Sequence, residues 1–397
     1  MIIRPTRRRR IIIFGAFDRH NFGDLLFAHI VARLLAERDP DIEPVFAGCG
    51  QRDLRAYGGH DVASISQLAA RWRDEPVALI HAGGELMPCD AWEAAVMLQQ
   101  PEEAQVCIAR YGSCAEDRRA WARAELGTDA LAPYVIGGET FPQAASICFD
   151  AIGGVTLDAR DAALRAEVLS KLRTGDDVSV RDARTQATLR NAGIDANLVP
   201  DPATLVAELF DERIRTHSDA RGGYLAVQFS ADFGDDTTLA NIAHQLDRIA
   251  ESTGLGIVLF RAGAAPWHDD IAVYERMVQR MRHPAVRIFE SLNVWDICAL
   301  IAGSEGFAGS SLHGRIVAMA YGLPRVNIQH GEPGKHHAYA STWEIANAPG
   351  VVPVDELHAA MLDALAMDRE ALRHQASVLA QAHRAGFAPI AQSALGS

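Results

Sequence analysis

At 397 residues the chain is long enough for two domains of roughly 100–200 residues each, and 49% hydrophobic with 22% charged residues is ordinary for a globular protein. Thirty-eight Lys and Arg against 51 Asp and Glu leave a formal charge of −13, which excludes a protein that coats nucleic acid. The six cysteines (Cys49, Cys89, Cys107, Cys114, Cys148, Cys298) form no CxxC pair and predict reduced core thiols of a cytosolic protein, neither a disulfide frame nor a zinc site.

The four arginines Arg7 to Arg10 precede an apolar run of only 11–14, too short for a signal peptide or a membrane span. They read as a solvated lead-in to the first strand or as a contact for an anionic membrane surface. Short β-rich runs then alternate with longer amphipathic segments, as in βα units around a parallel sheet. Strands are expected at 11–14, 43–46, 77–81, 105–109, 134–136, 147–152, 178–180 and 196–199, with helices including 25–37 and 159–172. The polar stretch 211–223 reads as a linker. A second series follows, with strands at 224–228, 256–260, 286–288, 306–308, 325–328 and 351–352 and helices at 238–251, 272–281, 294–302 and 355–367. The expected organisation is a first Rossmann-like domain over 1–210 on the acceptor side and a second over 224–367 carrying the donor and the histidine. Terminal helices over 368–397 would fold back on the first domain. The fold class is α/β, two doubly wound domains facing a cleft, which resembles the architecture of B-type glycosyltransferases.

Taken in order, His20 to Asp24 suits a turn and N-cap, or a backbone cradle lined by Asn21 and Gly23 with Asp24 facing the cleft. Gly83 and Gly84, followed by Glu85, stand where the chain must turn or let a ligand approach. Neither stretch makes a dinucleotide or P-loop motif. In Ser179-Val180-Arg181-Asp182 the arginine fork projects toward the cleft to take an anion, or pairs with Asp182 or a neighbouring acid. Asp201 is either a helix N-cap or a cleft carboxylate. Ser310, Ser311 and His313 open a helix whose N-terminus favours an anion. The loop beyond it brings His330, Glu332, Lys335, His336 and His337 beside that helix, at spacings that match no metal site.

NFGD, a GG after a strand, SVRD followed about twenty residues on by DPA, and GSSLHG with GLP behind it resemble the polysaccharide pyruvyl transferase family over roughly residues 10–340. The resemblance implies transfer of the enolpyruvyl unit of phosphoenolpyruvate onto two hydroxyls of a sugar, with no nucleotide sugar, obligatory metal or other cofactor. It carries the family's arginine onto Arg181, its histidine onto His313 and its downstream lysine onto Lys335. Many members have an arginine two residues before the histidine; this chain has Ser311, with Arg315 as the candidate replacement. Because phosphoenolpyruvate carries about three negative charges, Arg181, Lys335, Arg315 and the turn at Ser310-Ser311 are the donor-binding candidates. His313 is the expected acid and base, or a capping or core imidazole, and Asp24 orients or deprotonates the acceptor hydroxyl. Asn21, Gly23, Gly83, Gly84, Glu85, Asp201 and His330 are assigned to the acceptor side of the cleft. The expected setting is a cytoplasmic enzyme that meets a free, lipid-linked or nucleotide-linked sugar at the inner membrane face. Two other classes remain in view: a nucleotide-sugar glycosyltransferase, for which no E-x7-E pair is evident, and a non-catalytic sugar- or phosphate-binding module, for which Ser311 argues.

Overall fold

The computed structural model describes residues 10–217 and 223–396. Among these residues two sheets organise the fold. The first runs in the order Arg52–Asp53, Asp61–Ser64, Val45–Gly48, Arg10–Phe14, Val77–Ala82, Ser146–Ile152, Asp177–Val180 and Asn197–Leu198, parallel throughout except for the short Arg52–Asp53. The second runs Val286–Phe289, Gly256–Phe260, Tyr224–Gln228, Gly306–Gly309, Arg325–Gln329 and Val351–Pro353, all parallel. Each chain segment starts in mid-sheet and then switches sides. The switch falls between Arg10–Phe14 and Val77–Ala82 in the first sheet and between Tyr224–Gln228 and Gly306–Gly309 in the second. Ligands of open α/β sheets bind outside the strand C-termini at such points. One switch delivers Asp18, Arg19 and the Gly83–Glu85 turn, and the other delivers Gln228 and Ser310.

The elements form for local reasons. Strand Arg10–Phe14 is buried on both faces, as parallel strands are, so Ile11 to Phe14 form a continuous apolar run at 0–2% exposure. Residues 105–109, expected as a strand, lie inside helix Pro101–Tyr111. Pro101 at its first position, Glu102 and Glu103 in the first turn, and Glu103 accepting from the Gln100 amide at 3.4 Å outweigh four apolar residues. That leaves Cys107 half-buried, and Cys114 is exposed, so the core-thiol expectation holds for the other four cysteines only. Residues 134–136 form no strand; they bury Tyr134 and Val135, and the Ile136 amide donates to His81 Nε2 at 2.9 Å. Helix Lys335–Trp343 begins where a continuing loop was expected. Arg7 to Arg9 lie outside the described residues. Arg10 is solvent-exposed, as a solvated lead-in would be, and it bonds Glu75 at 2.8 Å and sits 4.7 Å over the Trp72 ring. No helix among the described residues is long and apolar enough to cross a membrane.

The expected linker 211–223 starts inside helix Val206–Thr216, and 218–222 fall outside the described residues. That helix packs on Phe22–Ala36 and Val294–Ala302. In consequence one apolar layer belongs to both halves, joining Phe22, Leu26 and Ile30 to Val206, Trp295, Ile316 and Phe387. Each sheet covers its other face separately. The last helix, Arg369–Leu395, crosses back onto strands Val77–Ala82, Ser146–Ile152 and Asp177–Val180. Gly386 permits the approach, since a Cβ there would lie 2.5 Å from Val199.

That helix also buries an acid. His383 donates Nδ1–H to the Pro200 carbonyl at 2.7 Å and holds Nε2 3.7 Å from Asp150, whose carboxylate oxygens have no hydrogen-bond partner among the described residues. Burial pushes the Asp150 carboxyl up to about 6, with His383 opposing the shift. A carboxyl whose folded pKa lies above its unfolded value contributes fully below the unfolded value, and that contribution is lost as pH rises to about 6. Asp150→Asn should therefore stabilise the protein by about 2–3 kcal/mol at pH 8 and by nothing near pH 4, which urea melts at the two pH values will test.

Candidate active site

The seam between the two switch points is built from His20 to Asp24. Asn21 caps helix Phe22–Ala36 by accepting from the Gly23 amide at 3.1 Å, while the Phe22 amide donates to the Ala262 carbonyl of the second half at 2.9 Å. His20 accepts from the Ala264 amide at Nδ1 (3.1 Å) and donates Nε2–H to the Leu292 carbonyl (2.7 Å), so it is a neutral structural tie. Burial depresses its pKa further.

From the opposite side comes helix Leu312–Ala320, capped by Ser311, which accepts from the Gly314 amide at 3.1 Å. Its second residue, His313, is 8% exposed, with its ring edge-on to Phe27 at 5.1 Å and Phe22 at 6.3 Å. A Cβ on Gly23 would lie 1.9 Å from His313 Nδ1, so only glycine leaves room for the imidazole. Nε2 stands 3.7 Å from Asp201, beyond hydrogen-bond length, and has no hydrogen-bond partner among the described residues. Asp201 is fully buried and holds Arg181 at 2.9 Å and the Ala203 amide at 3.0 Å. Burial alone would raise its pKa, but His313, Arg181 and that amide together bring it below the usual carboxylate range.

Arg181 reaches the cleft with its fork engaged by carboxylates. It is 2% exposed and filled by Glu85 at 2.8 Å and Asp201 at 2.9 Å, and Glu85 also accepts from the Val155 amide at 2.7 Å. Both readings of Asp201 hold in part: it caps a short turn of helix and supports His313 from behind. Asp182, offered as the ion-pair partner of Arg181, instead caps helix Ala183–Asn191. Arg315 is a correction. Its side chain is wholly buried away from the cleft, paired with Glu344 and bonded to Asn327 at 3.2 Å and to the Gly350 carbonyl at 3.0 Å.

Among the described residues, Arg19 and Lys335 face the cleft without a carboxylate partner. Arg19 donates to Tyr134 Oη at 2.8 Å, and that hydroxyl donates to Asp18 at 2.8 Å. Lys335 opens helix Lys335–Trp343, which is tied to the first half by Trp343 Nε1 donating to the Arg181 carbonyl at 2.7 Å. Among the described residues neither Arg19 nor Lys335 forms an ion pair. The cleft has a larger lobe of about 620 Å³ and a smaller one of about 220 Å³, and Asn21, His268, His313 and Lys335 line both.

The smaller lobe gathers Arg19, Asp24, Glu85 and Arg181, and the larger gathers Ser310, Ser311, His330 and Gln228. Ser310 Oγ accepts from the Ser230 amide at 2.9 Å. Gly83 and Gly84 serve the turn rather than the cavities, with φ of +60° and +85° and Gly83 donating to the Asp150 carbonyl at 2.9 Å. Sequence reasoning missed Arg19, Gln228 and His268. Arg19 stands five residues past the end of a central strand and Gln228 ends one, and that position was the available signal.

A family model described as polysaccharide pyruvyl transferase matches residues 21–332. No curated protein matches the chain. Among solved structures, UDP-GlcNAc 2-epimerase from Methanocaldococcus jannaschii aligns with a TM-score of 0.56 at 11% identity, covering 91% of this chain and 94% of that one. The UDP-N-acetylglucosamine 2-epimerase from Rickettsia bellii gives 0.55 at 11% identity over 98% of each chain. The Neisseria meningitidis enzyme bound to UDP-GlcNAc gives 0.53 at 10% identity, covering 95% and 98%. At these identities the likeness is one of fold, the two-sheet B-type architecture.

Proposed function

The chain belongs to the polysaccharide pyruvyl transferase family and is a transferase, and from that premise we propose that it moves the enolpyruvyl group of phosphoenolpyruvate onto two hydroxyls of a sugar in a cell-surface polysaccharide or its precursor. The observation that carries the reading is the buried Nε2 of His313, unpartnered among the described residues, in a cleft that also presents Arg19 and Lys335, which pair with no carboxylate among those residues. In the proposed reaction a proton reaches C3 of the enol, the first hydroxyl adds to C2, and the C2–O bond to phosphate breaks. The second hydroxyl then adds to C2 and closes the ketal. One hydroxyl proton ends on C3 and the other on phosphate, so the balance needs no further reactant.

His313 is the group proposed to take and return those protons, with Asp201 behind it steadying the imidazolium. Arg19 and Lys335 hold the donor's carboxylate and phosphate, Lys335 in the role the family resemblance implied for it and Arg19 in place of Arg181 and Arg315. The N-termini of the helices that start at Phe22, Leu312 and Lys335 add positive potential. Asp24, in the smaller lobe, orients the acceptor hydroxyl. The proposed setting is the cytoplasmic face of the membrane, where a free or lipid-linked acceptor is met.

The test is phosphate release from phosphoenolpyruvate in the presence of sugar acceptors. His313→Ala should lower kcat by about 10²–10⁴, the range of a lost general acid and base. Lys335→Ala should raise KM for phosphoenolpyruvate. A rise in melting temperature with UDP and none with phosphoenolpyruvate would sink the reading and favour a nucleotide-sugar glycosyltransferase.

A further inference from the structure

The loop after strand Gly256–Phe260 contains a reverse turn, Ala265-Pro266-Trp267-His268, closed by the His268 amide donating to the Ala265 carbonyl at 3.1 Å. Proline in second place and positive φ in third define a type II turn, whose third position takes glycine or asparagine. Here Trp267 holds it, at φ +64°. The indole is 48% exposed and lines the larger lobe, and among the described residues no ring or cation lies against it. Packing therefore does not account for a bulky residue in a strained backbone position, and such strain gathers where a ligand is held.

A second group points to the same space. Gln228 is 2% exposed and donates Nε2–H to Asp269 at 2.8 Å, while its Oε1 is buried at the wall of the larger lobe without a partner among the described residues. A buried oxygen of that kind calls for a hydroxyl or amine donor. The loop itself is firm, since Asp269 also accepts from the Ala262 amide at 2.6 Å and Ala264 is tied to His20. Asp232 and Glu332 face this lobe against Lys335 alone among the fixed cations that line it, so it suits a neutral, hydroxyl-rich ligand better than a polyanion.

We infer that Trp267 is the stacking platform for a pyranose ring of the acceptor, with Gln228 Oε1 taking a hydrogen bond from a ring hydroxyl. The C–H face of the ring covers the indole, and its hydroxyls reach the polar wall. Only the identification of that ring as the acceptor rests on the proposed reaction. The assignment also divides the cleft, reversing the acceptor and donor sides expected from the sequence: the donor lies in the smaller cationic lobe and the sugar ring in the larger one, its reacting hydroxyls turned toward Asp24, with His313 lining both lobes.

The experiment is saturation-transfer NMR with methyl glucopyranoside, galactopyranoside and mannopyranoside, and with UMP, on the parent, Trp267→Phe and Trp267→Gly. Glycine suits the turn, so the Gly variant should melt no lower than the parent. At least one pyranoside should bind the parent, about 10-fold more weakly to the Gly variant and within about 3-fold to the Phe variant. Equal binding to parent and Gly variant, or no pyranoside binding to the parent, overturns the platform. UMP binding that depends on Trp267 while pyranosides fail also overturns it, in favour of a nucleobase. Trp267-dependent sugar binding in a protein that leaves phosphoenolpyruvate unconsumed upholds the platform and removes the ketal transfer.

Discussion

Replacing Gly23 with alanine is expected to lower turnover by orders of magnitude although it removes no side-chain group. The new methyl carbon would stand 1.9 Å from His313 Nδ1 and 2.0 Å from Cγ, so the imidazole must leave its slot between Phe22 and Phe27. Nε2 then loses both its place in the cleft and its proximity to Asp201. The loss in kcat should match that of His313→Ala, about 10²–10⁴, with an overpacking cost of about 1–3 kcal/mol in stability. The double variant should be no slower than either single one, because both remove the same group. Retention of more than a third of the parent rate by a folded Gly23→Ala protein would show that this packing does not position the proton carrier.

The largest effect on stability should come from Glu344→Gln. Glu344 sits between Arg315 and Arg325, at 0% and 2% side-chain exposure, and accepts from both. Arg325 also donates to Gln375 of the last helix at 2.5 Å, and Gln375 donates to the Trp343 carbonyl. Burial works to raise the Glu344 pKa, but the two guanidiniums bring it below the ordinary range, so its contribution is present above the unfolded value and lost as pH falls. Neutralising it leaves two buried cations unpaired, a loss of about 3–5 kcal/mol. Urea melts at pH 7 should show it. Replacing all three charges together, Glu344→Leu with Arg315→Met and Arg325→Met, should recover most of the loss, because the penalty belongs to the unpaired charges.

The strands of the second sheet were legible because each is a short apolar run between turn residues, and 224–228 and 256–260 match to the residue. The placement of His313 at a helix start was legible for the same reason. Arg315 was misjudged against information already present. Two residues along a helix is about 200° of rotation, so Arg315 must face away from the side His313 presents. Arg181 was different, because its partners Glu85 and Asp201 lie 96 and 20 positions away and no periodicity links them. Arg19 sits in an irregular turn, and its value comes from the sheet order, which local pattern does not encode.

The return of helix Arg369–Leu395 onto the first sheet has a consequence for how the protein is made. Strands Val77–Ala82, Ser146–Ile152 and Asp177–Val180 leave the ribosome long before the helix that covers them exists. At about 5–20 residues per second the stretch beyond residue 217 takes roughly 10–40 s to synthesise, and for that time the nascent first half carries an uncovered apolar face. Completion of its core therefore waits for that late helix, and recovery of soluble protein should track translation speed and chaperone supply more closely than the strength of any single contact.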